Sequence, residues 1–260
     1  MMKVAYVVSG MKLTFVVGEM EAHEQAGWQI LPLASCPAPK EISDLGLPIV
    51  DFRKVIENHK SEIRNRKSEI SSGLSQVVAK WAKRAVYRSG IVGQLWMALR
   101  EFVTHPFRLL RICVWVAGLA FGSLSEFAKA VYELPTACDF AYTCRRFGAQ
   151  HIHVHFASRS LSLGLMLGML TDLPVSCTVH AFDIFTRSRG SLCRRLARCK
   201  FIAAISQFNV DYLRRLCGSR ACPEQKGRRV ADLCRVVHCG IDLERFNVNS
   251  VQRTAFSLQE

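Results

Sequence analysis

Short apolar runs alternate with helical patterns along most of the chain. The run at 4–8 is continuous, β-branched and uncharged and predicts a buried parallel strand. Further short runs rich in apolar residues predict strands at 29–33, 150–156, 175–179, 200–205 and 234–237. Between them, helical periodicity predicts a helix from Thr14 to just before Gly27, and others over 158–171 and 207–216. This alternation predicts an α/β fold, a Rossmann-like doubly wound parallel sheet that binds its ligands at the carboxyl ends of the strands.

Residues 53 to about 133 break this alternation and predict a basic helical insertion. Pro106 separates two of its helices, and we expect Thr104 to cap the second. The prediction is one domain over 1–246 that carries this insertion, followed by a tail at 247–260. Cationic and aromatic residues are interleaved in the insertion, and the candidates for contact with an anionic membrane are Lys80, Lys83, Arg84, Arg88, Trp96, Arg108, Arg111 and Trp115.

The charge balance indicates an anionic partner. Lys and Arg number 35 against 21 Asp and Glu, a net charge of +14, which suits phosphate, nucleic acid or lipid headgroups. No nucleic-acid-binding motif accompanies the charge, so we expect no nucleic acid. The longest uncharged stretches, 25–39 and 112–125, are both shorter than the roughly 20 residues of a spanning helix. The 11 cysteines form no CxxC and indicate reduced thiols in a cytoplasm.

Polar residues follow several predicted strands. His180 comes directly after one, with Asp183 three positions on, and could hydrogen-bond a substrate hydroxyl or phosphate; alternatively it merely closes the strand. Ser206 could cap a helix or help to bind an anion at the same place. Ser9-Gly10 after the first strand is a weak phosphate-loop signal. The sequence has no GxGxxG, GxxxxGK[ST] or GxSxG motif.

An HxHxH motif spans residues 151–155. Strand periodicity places His151, His153 and His155 on one face, where neutral imidazoles could hold zinc. No cysteine or carboxylate pattern accompanies them, so ordinary strand histidines are the preferred interpretation. We expect no metal and no cofactor, and the zinc protein stays as an alternative.

Four strings occur in an order that resembles a known family: HIHVHFAS at 151–158, TVHAFDIF at 178–185, AISQFN at 204–209 and RVVHCGIDLERF at 235–246. Over residues 3 to about 246 the chain resembles the N-terminal half of family-four glycosyltransferases of the GT-B fold, and most resembles bacterial enzymes of colanic acid and other exopolysaccharide biosynthesis. The resemblance implies retaining sugar transfer, without a metal, from a nucleotide-diphosphate sugar to a lipid-linked or polysaccharide acceptor.

The resemblance also implies residue roles. It makes His180 the catalytic residue, a cleft histidine that contacts the donor sugar. The other implied positions are Ser9 and Gly10 near the donor phosphates, Ser206 and Asn209 lining the cleft, Glu19, His155 and Asp183 close to it, and Gly240 and Asp242 at the interdomain junction.

The chain also departs from the family pattern. The loop over 9–13 is short, and no two glutamates stand eight residues apart, although that pair marks the family's donor-binding half. We therefore expect an acceptor-side half, truncated or split from its C-terminal partner, that is inactive alone. The predicted location is the cytoplasm, with peripheral attachment to the inner membrane. The alternative is a non-catalytic Rossmann-like module for membrane recruitment or protein binding.

Overall fold

In the part of the chain that the structure describes, seven strands form one parallel sheet, which confirms the α/β prediction. The computed structural model describes residues 1–10, 14–37, 76–121, 123–217 and 229–238. The strands are β1 (Lys3–Val8), β2 (Gln29–Ala34), β3 (Val86–Tyr87), β4 (His151–His155), β5 (Val175–Val179), β6 (Ile202–Ala204) and β7 (Cys234–Val236). Only β3 has no counterpart among the predicted strands, because two residues are too few to show a period.

Helices connect the strands. They are α1 (Thr14–Gln25), α2 (76–84), α3 (Ile91–Thr104), α4 (Pro106–Ala120), α5 (Leu124–Phe147), α6 (Arg159–Thr171), α7 (Phe182–Phe185), α8 (Arg189–Leu196), α9 (Gln207–Cys217) and α10 (Val230–Leu233). Gly27, at φ +85°, follows α1 as predicted. The prediction for Thr104 was wrong. This residue ends α3, where its hydroxyl donates to the Arg100 carbonyl, and His105 precedes Pro106 at the start of α4.

The order of the strands locates a crevice. The sheet runs β3-β2-β1-β4-β5-β6-β7, so the chain builds outward from β1 in one direction and then returns to build outward from β4 in the other. The segment that follows β1 and the segment that follows β4 therefore leave the sheet toward opposite faces. In sheets of this kind ligands bind outside the carboxyl ends of the strands, at such a switch point.

Each face of the sheet is covered by its own helices. In β1 the side chains alternate: Val4, Tyr6 and Val8 pack with α1 and α2, whereas Ala5 and Val7 pack in the larger core with α5 and α6. The same alternation in β4 leaves all three histidines on the α1 face.

Helix α6 packs very closely on β4 and β5. A Cβ added at Gly164 would lie 2.3 Å from a methyl carbon of Val154. One added at Gly168 would lie 2.5 Å from a methyl carbon of Val175 and 3.0 Å from the Leu173 carbonyl oxygen. Both positions therefore require glycine, and this contact fixes the strands that end at the crevice.

One expectation about the cysteines was wrong. Cys193 in α8 and Cys217 in α9 form a disulfide, with their Cα atoms 5.6 Å apart. Spacing along the sequence could not reveal it, because only the packing of α8 on α9 brings the two thiols together.

Candidate active site at the carboxyl edge of the sheet

The predicted site residues that the structure describes gather at one edge of the sheet. His155 ends β4, His180 follows β5, and Ser206 follows β6. Ser9 and Gly10 follow β1, on the other side of the switch point. Gly240 and Asp242 lie outside the described residues. The predicted positions thus come from several separate loops and meet at the crevice.

Asp183 fixes the turn that carries His180. Its two carboxylate oxygens accept hydrogen bonds from the backbone N–H groups of His180, at 2.8 Å, and Ala157, at 2.6 Å. The side chain thereby joins the end of β5 to the loop after β4. Burial raises the pKa of Asp183 to about 6, although these backbone donors oppose the shift.

The His180 ring lies between aromatic neighbours. Its centroid is 4.5 Å from that of Phe156, 5.1 Å from Phe15 and 6.0 Å from His155. Its Nε2 atom is buried and has no hydrogen-bond partner among the described residues. Burial and the charge of His155 lower the pKa of His180 to about 4. The ring is therefore neutral at pH 7 and can donate to, or accept from, a ligand hydroxyl.

Phe156 has an unusual backbone. Its φ is +70°, in the left-handed region that a bulky residue rarely adopts. Its N–H donates to the Thr178 carbonyl, and its ring contacts His180. A strained residue that touches the candidate catalytic histidine supports the assignment of this edge as a site.

Glu19 reaches the site from α1 and pairs with two histidines. Its carboxylate oxygens lie 3.2 Å from Nε2 of His155 and 3.6 Å from Nε2 of His153. The hydroxyl of Tyr6 donates to Glu19 at 3.1 Å and lies 2.6 Å from Nδ1 of His23. Burial alone raises the pKa of Glu19, but bonding to His155 and the charges of both histidines outweigh it and lower the pKa to about 2.

The three histidines of β4 share one face, as the HxHxH spacing predicts. His151 and His153 each have a ring nitrogen 2.7 Å from the Ser176 hydroxyl of β5. The Nε2 atom of His153 also lies 3.0 Å from the Thr178 hydroxyl. Burial lowers the pKa of His153 to about 3. Glu19 was expected close to the cleft, but its pairing with these histidines was not predicted, because Glu19 lies on a different element.

Tyr6 and His23 also belong to this cluster and were missed. Two signals could have revealed them. Tyr6 is the one polar side chain in β1 that faces α1, and His23 stands four residues after Glu19, on the same face of α1.

Ser206 behaves as a helix cap. Its hydroxyl accepts from the backbone N–H of Asn209 at 3.2 Å, in the first turn of α9. Asn209 is buried, and its Nδ2 atom has no partner among the described residues. The cap is the simpler of the two alternatives stated for Ser206, and Asn209 offers an amide donor beside it.

A second surface lies on α3 and α4. No described helix alone has the length and apolar composition of a membrane span, but α3 and α4 together do, with a bend of 114° between them. Trp96 is 66% exposed and Phe107 is 85% exposed. We call this surface the α3–α4 elbow and define it by its exposed apolar residues Ile91, Val92, Leu95, Trp96, Leu99, Phe102, Val103, Phe107, Leu110 and Val114.

Most of the predicted membrane-contacting cations bind protein groups instead. Lys80 and Arg84 pair with Glu24. Arg108 and Arg111 pair with Asp172 and donate to carbonyls at the end of α6. In addition, Arg88 donates to the Tyr132 hydroxyl, Trp115 packs beside Arg198, and Lys83 is exposed on α2. Of the predicted set, Trp96 is the member that belongs to the α3–α4 elbow.

A parallel sheet with polar residues gathered at its switch point defines a Rossmann-like half of the GT-B type. The model of Glycosyltransferase Family 4 matches residues 101–245, more than half of the chain, and the chain belongs to this family. The matched range contains β4 to β7 with His155, His180, Asp183 and Ser206; Glu19 and β1 lie outside it. A search of curated proteins finds no match.

Proposed function

We propose that this chain is the acceptor-side half of a glycosyltransferase that builds exopolysaccharide or another cell-surface glycan. The donor is a nucleotide-diphosphate sugar and the acceptor is lipid-linked or a polysaccharide. One observation carries the proposal: in a family-four chain, a neutral His180 stands at the switch-point edge of the sheet with a ring nitrogen that has no partner among the described residues.

In the proposed reaction the bond between the anomeric carbon and the diphosphate oxygen breaks. The acceptor oxygen then forms its bond to the same face of that carbon, and the acceptor's hydroxyl proton passes to the leaving diphosphate. His180 orients the donor sugar through a hydrogen bond at Nε2, while Asp183 holds its backbone. The family resemblance supports retention and a transfer step without a metal.

The leaving diphosphate needs cations and oriented N–H donors as its charge develops. The described residues form one Rossmann-like sheet, and we propose that a second, donor-binding half supplies those groups and excludes water when it closes. The chain by itself is then expected to transfer little sugar.

We further propose that the α3–α4 elbow lies on the membrane that holds a lipid-linked acceptor. Its Trp and Phe side chains suit shallow insertion into the interface. Because most of the predicted cations already have protein partners, apolar insertion contributes more than charge. We propose the cytoplasmic face of the inner membrane as its location, in keeping with the family resemblance. The non-catalytic recruitment module remains the second candidate, and the exposed α3–α4 elbow is the observation that favours it.

The test is a transfer assay with radiolabelled UDP- and GDP-sugars, polyprenyl-diphosphate-linked acceptors in vesicles, and the separately expressed donor half of a family-four enzyme. We expect product only when both halves are present, and at least a 100-fold loss with His180→Ala. His151→Gln, at the opposite end of β4, is the matched control and should transfer normally. Vesicle binding without transfer in any mixture would leave the recruitment module as the function.

A further inference from the structure

The cluster beneath the crevice has the composition of a metal site. Glu19, His153 and His155 each offer one ligand atom, and these atoms lie within 4.8 Å of one another. We propose that the three residues bind a divalent transition metal, with zinc as the best-matched ion, and that the metal ties α1 to β4 beside His180. This inference does not depend on the proposed function.

The distances suit a shared ion. Zinc binds histidine nitrogen and carboxylate oxygen at about 2.0–2.2 Å, so tetrahedral ligands stand about 3.3 Å apart. The Glu19 oxygens lie 3.2 and 3.6 Å from the two histidine nitrogens. Two imidazoles and a carboxylate are ligands that suit zinc better than magnesium or calcium, because the latter two ions favour oxygen ligands alone.

The burial of His155 is the second, independent observation. Its side chain is 1% exposed. Within the described residues its Nδ1 has no hydrogen-bond partner, and the polar contact of its Nε2 is the Glu19 carboxylate at 3.2 Å. A buried imidazole that lacks part of its hydrogen bonding is costly in a folded protein. A metal bound at Nε2, beside Glu19, would reduce that cost.

Neighbouring hydroxyl groups orient the ligands. The Ser176 hydroxyl lies 2.7 Å from Nδ1 of His153 and can accept a hydrogen bond from it, which leaves a lone pair on Nε2. That Nε2 lies 3.0 Å from the Thr178 hydroxyl and 3.6 Å from Glu19, so a bound metal would replace the Thr178 contact. The hydroxyl of Tyr6 donates to a Glu19 oxygen at 3.1 Å. Metal-binding histidines and carboxylates in proteins usually have such outer partners. Three protein ligands leave the fourth position for solvent or a bound molecule.

The experiment measures metal in the full chain after purification without a histidine tag. We expect about one zinc per chain in the wild type and in His151→Gln, which shares the strand and face but lies outside the cluster. Glu19→Gln and His155→Gln should each retain less than a tenth of that amount. In the cobalt-loaded protein, visible d–d bands without a thiolate charge-transfer band would exclude binding by the cysteines.

The wild type provides a test that needs no variant. Removing the ion with a chelator should lower its Tm by several degrees, and adding zinc should restore it, whereas folded Glu19→Gln should respond to neither. The proposal is wrong if folded wild-type protein takes up no zinc at micromolar concentrations. It is equally wrong if folded Glu19→Gln and His155→Gln hold as much zinc as the wild type.

Discussion

The polar residues around the crevice and the apolar residues of the α3–α4 elbow depart from ordinary protein structure in opposite ways. Around the crevice, His153, His155 and Asp183 are polar side chains that the fold buries almost completely. On the elbow, Trp96 and Phe107 are large apolar side chains that the fold leaves in solvent. Both arrangements cost free energy, since buried polar groups lose hydration and exposed apolar groups gain nothing from burial.

The contrast indicates what each region is for. The polar residues lie at the switch point, where a ligand can supply the hydrogen bonds that His155 and His180 lack within the described residues. The elbow lies on helices whose other faces, through Ile112 and Val116, already pack in the core, so its outer face is free for a partner. An exposed apolar surface of this extent marks an interaction site.

The largest effect is expected at the elbow. Replacing Trp96, Phe102 and Phe107 together with Ser should weaken binding to vesicles by at least about 100-fold, because each ring contributes about 1.5 kcal/mol or more on insertion. Flotation with vesicles measures the change. Phe182→Ser with Phe208→Ser is the matched control: both rings are exposed but lie at the crevice, and binding should change less than about twofold. Equal losses in the two variants would erase the distinction.

The next effect concerns pH and Asp183. Its pKa in the folded protein, about 6, exceeds the ordinary value of 3.8, so between these values the native state keeps a proton that the unfolded state has lost. Stability therefore falls as pH rises from about 4 to 6 and levels off above. The change is up to about 3 kcal/mol. Urea unfolding of wild type and Asp183→Asn isolates this contribution, and a pH-independent difference between them would contradict it.

A smaller effect is expected from alanine substitutions at two glycines, Gly168 in α6 and Gly118 in α4. Gly168→Ala should destabilise the protein by about 1–3 kcal/mol, because its Cβ meets Val175 and a backbone carbonyl. Gly118→Ala in α4 meets nothing within 4 Å and should stabilise by up to about 1 kcal/mol through helix propensity. Thermal unfolding of the two variants measures both. Unchanged or increased stability of Gly168→Ala would show that α6 is not packed as closely on the sheet as the structure has it.

The sequence predicted the sheet well because most strands are short runs rich in apolar residues, separated by turns and helical patterns. Strand β5 has the predicted ends, and β2 differs by one residue. The edge strand β3 could not be predicted: its pairing with β2 at Leu33 and Ala34 is a tertiary contact. The same reason explains the unpredicted Cys193–Cys217 disulfide.

The site was predictable where residues follow strands and less so where helices contribute. His180, Asp183 and Ser206 come directly after predicted strands, and the topology alone gathers them. Glu19 was expected near the cleft through the family resemblance, but its pairing with His153 depends on how α1 lies across β1. The interleaved charges of the helical segment predicted a basic lipid-facing surface, because sequence cannot show that Arg108 and Arg111 already have Asp172 as partner.

The smallest effect tests, at Lys80, whether a cation that already pairs with protein carboxylates also contacts lipid. Lys80→Gln removes ion pairs with Glu21 and Glu24 on a surface where Lys80 is 44% exposed, so stability should fall by less than about 1 kcal/mol. If Lys80 is occupied by those carboxylates, binding to anionic vesicles should also change by less than about twofold. A clear loss of binding to anionic vesicles, with binding to neutral ones intact, would mean that the cations of α2 contact lipid. The membrane surface would then extend beyond the elbow to α1 and α2, and charge would contribute alongside apolar insertion.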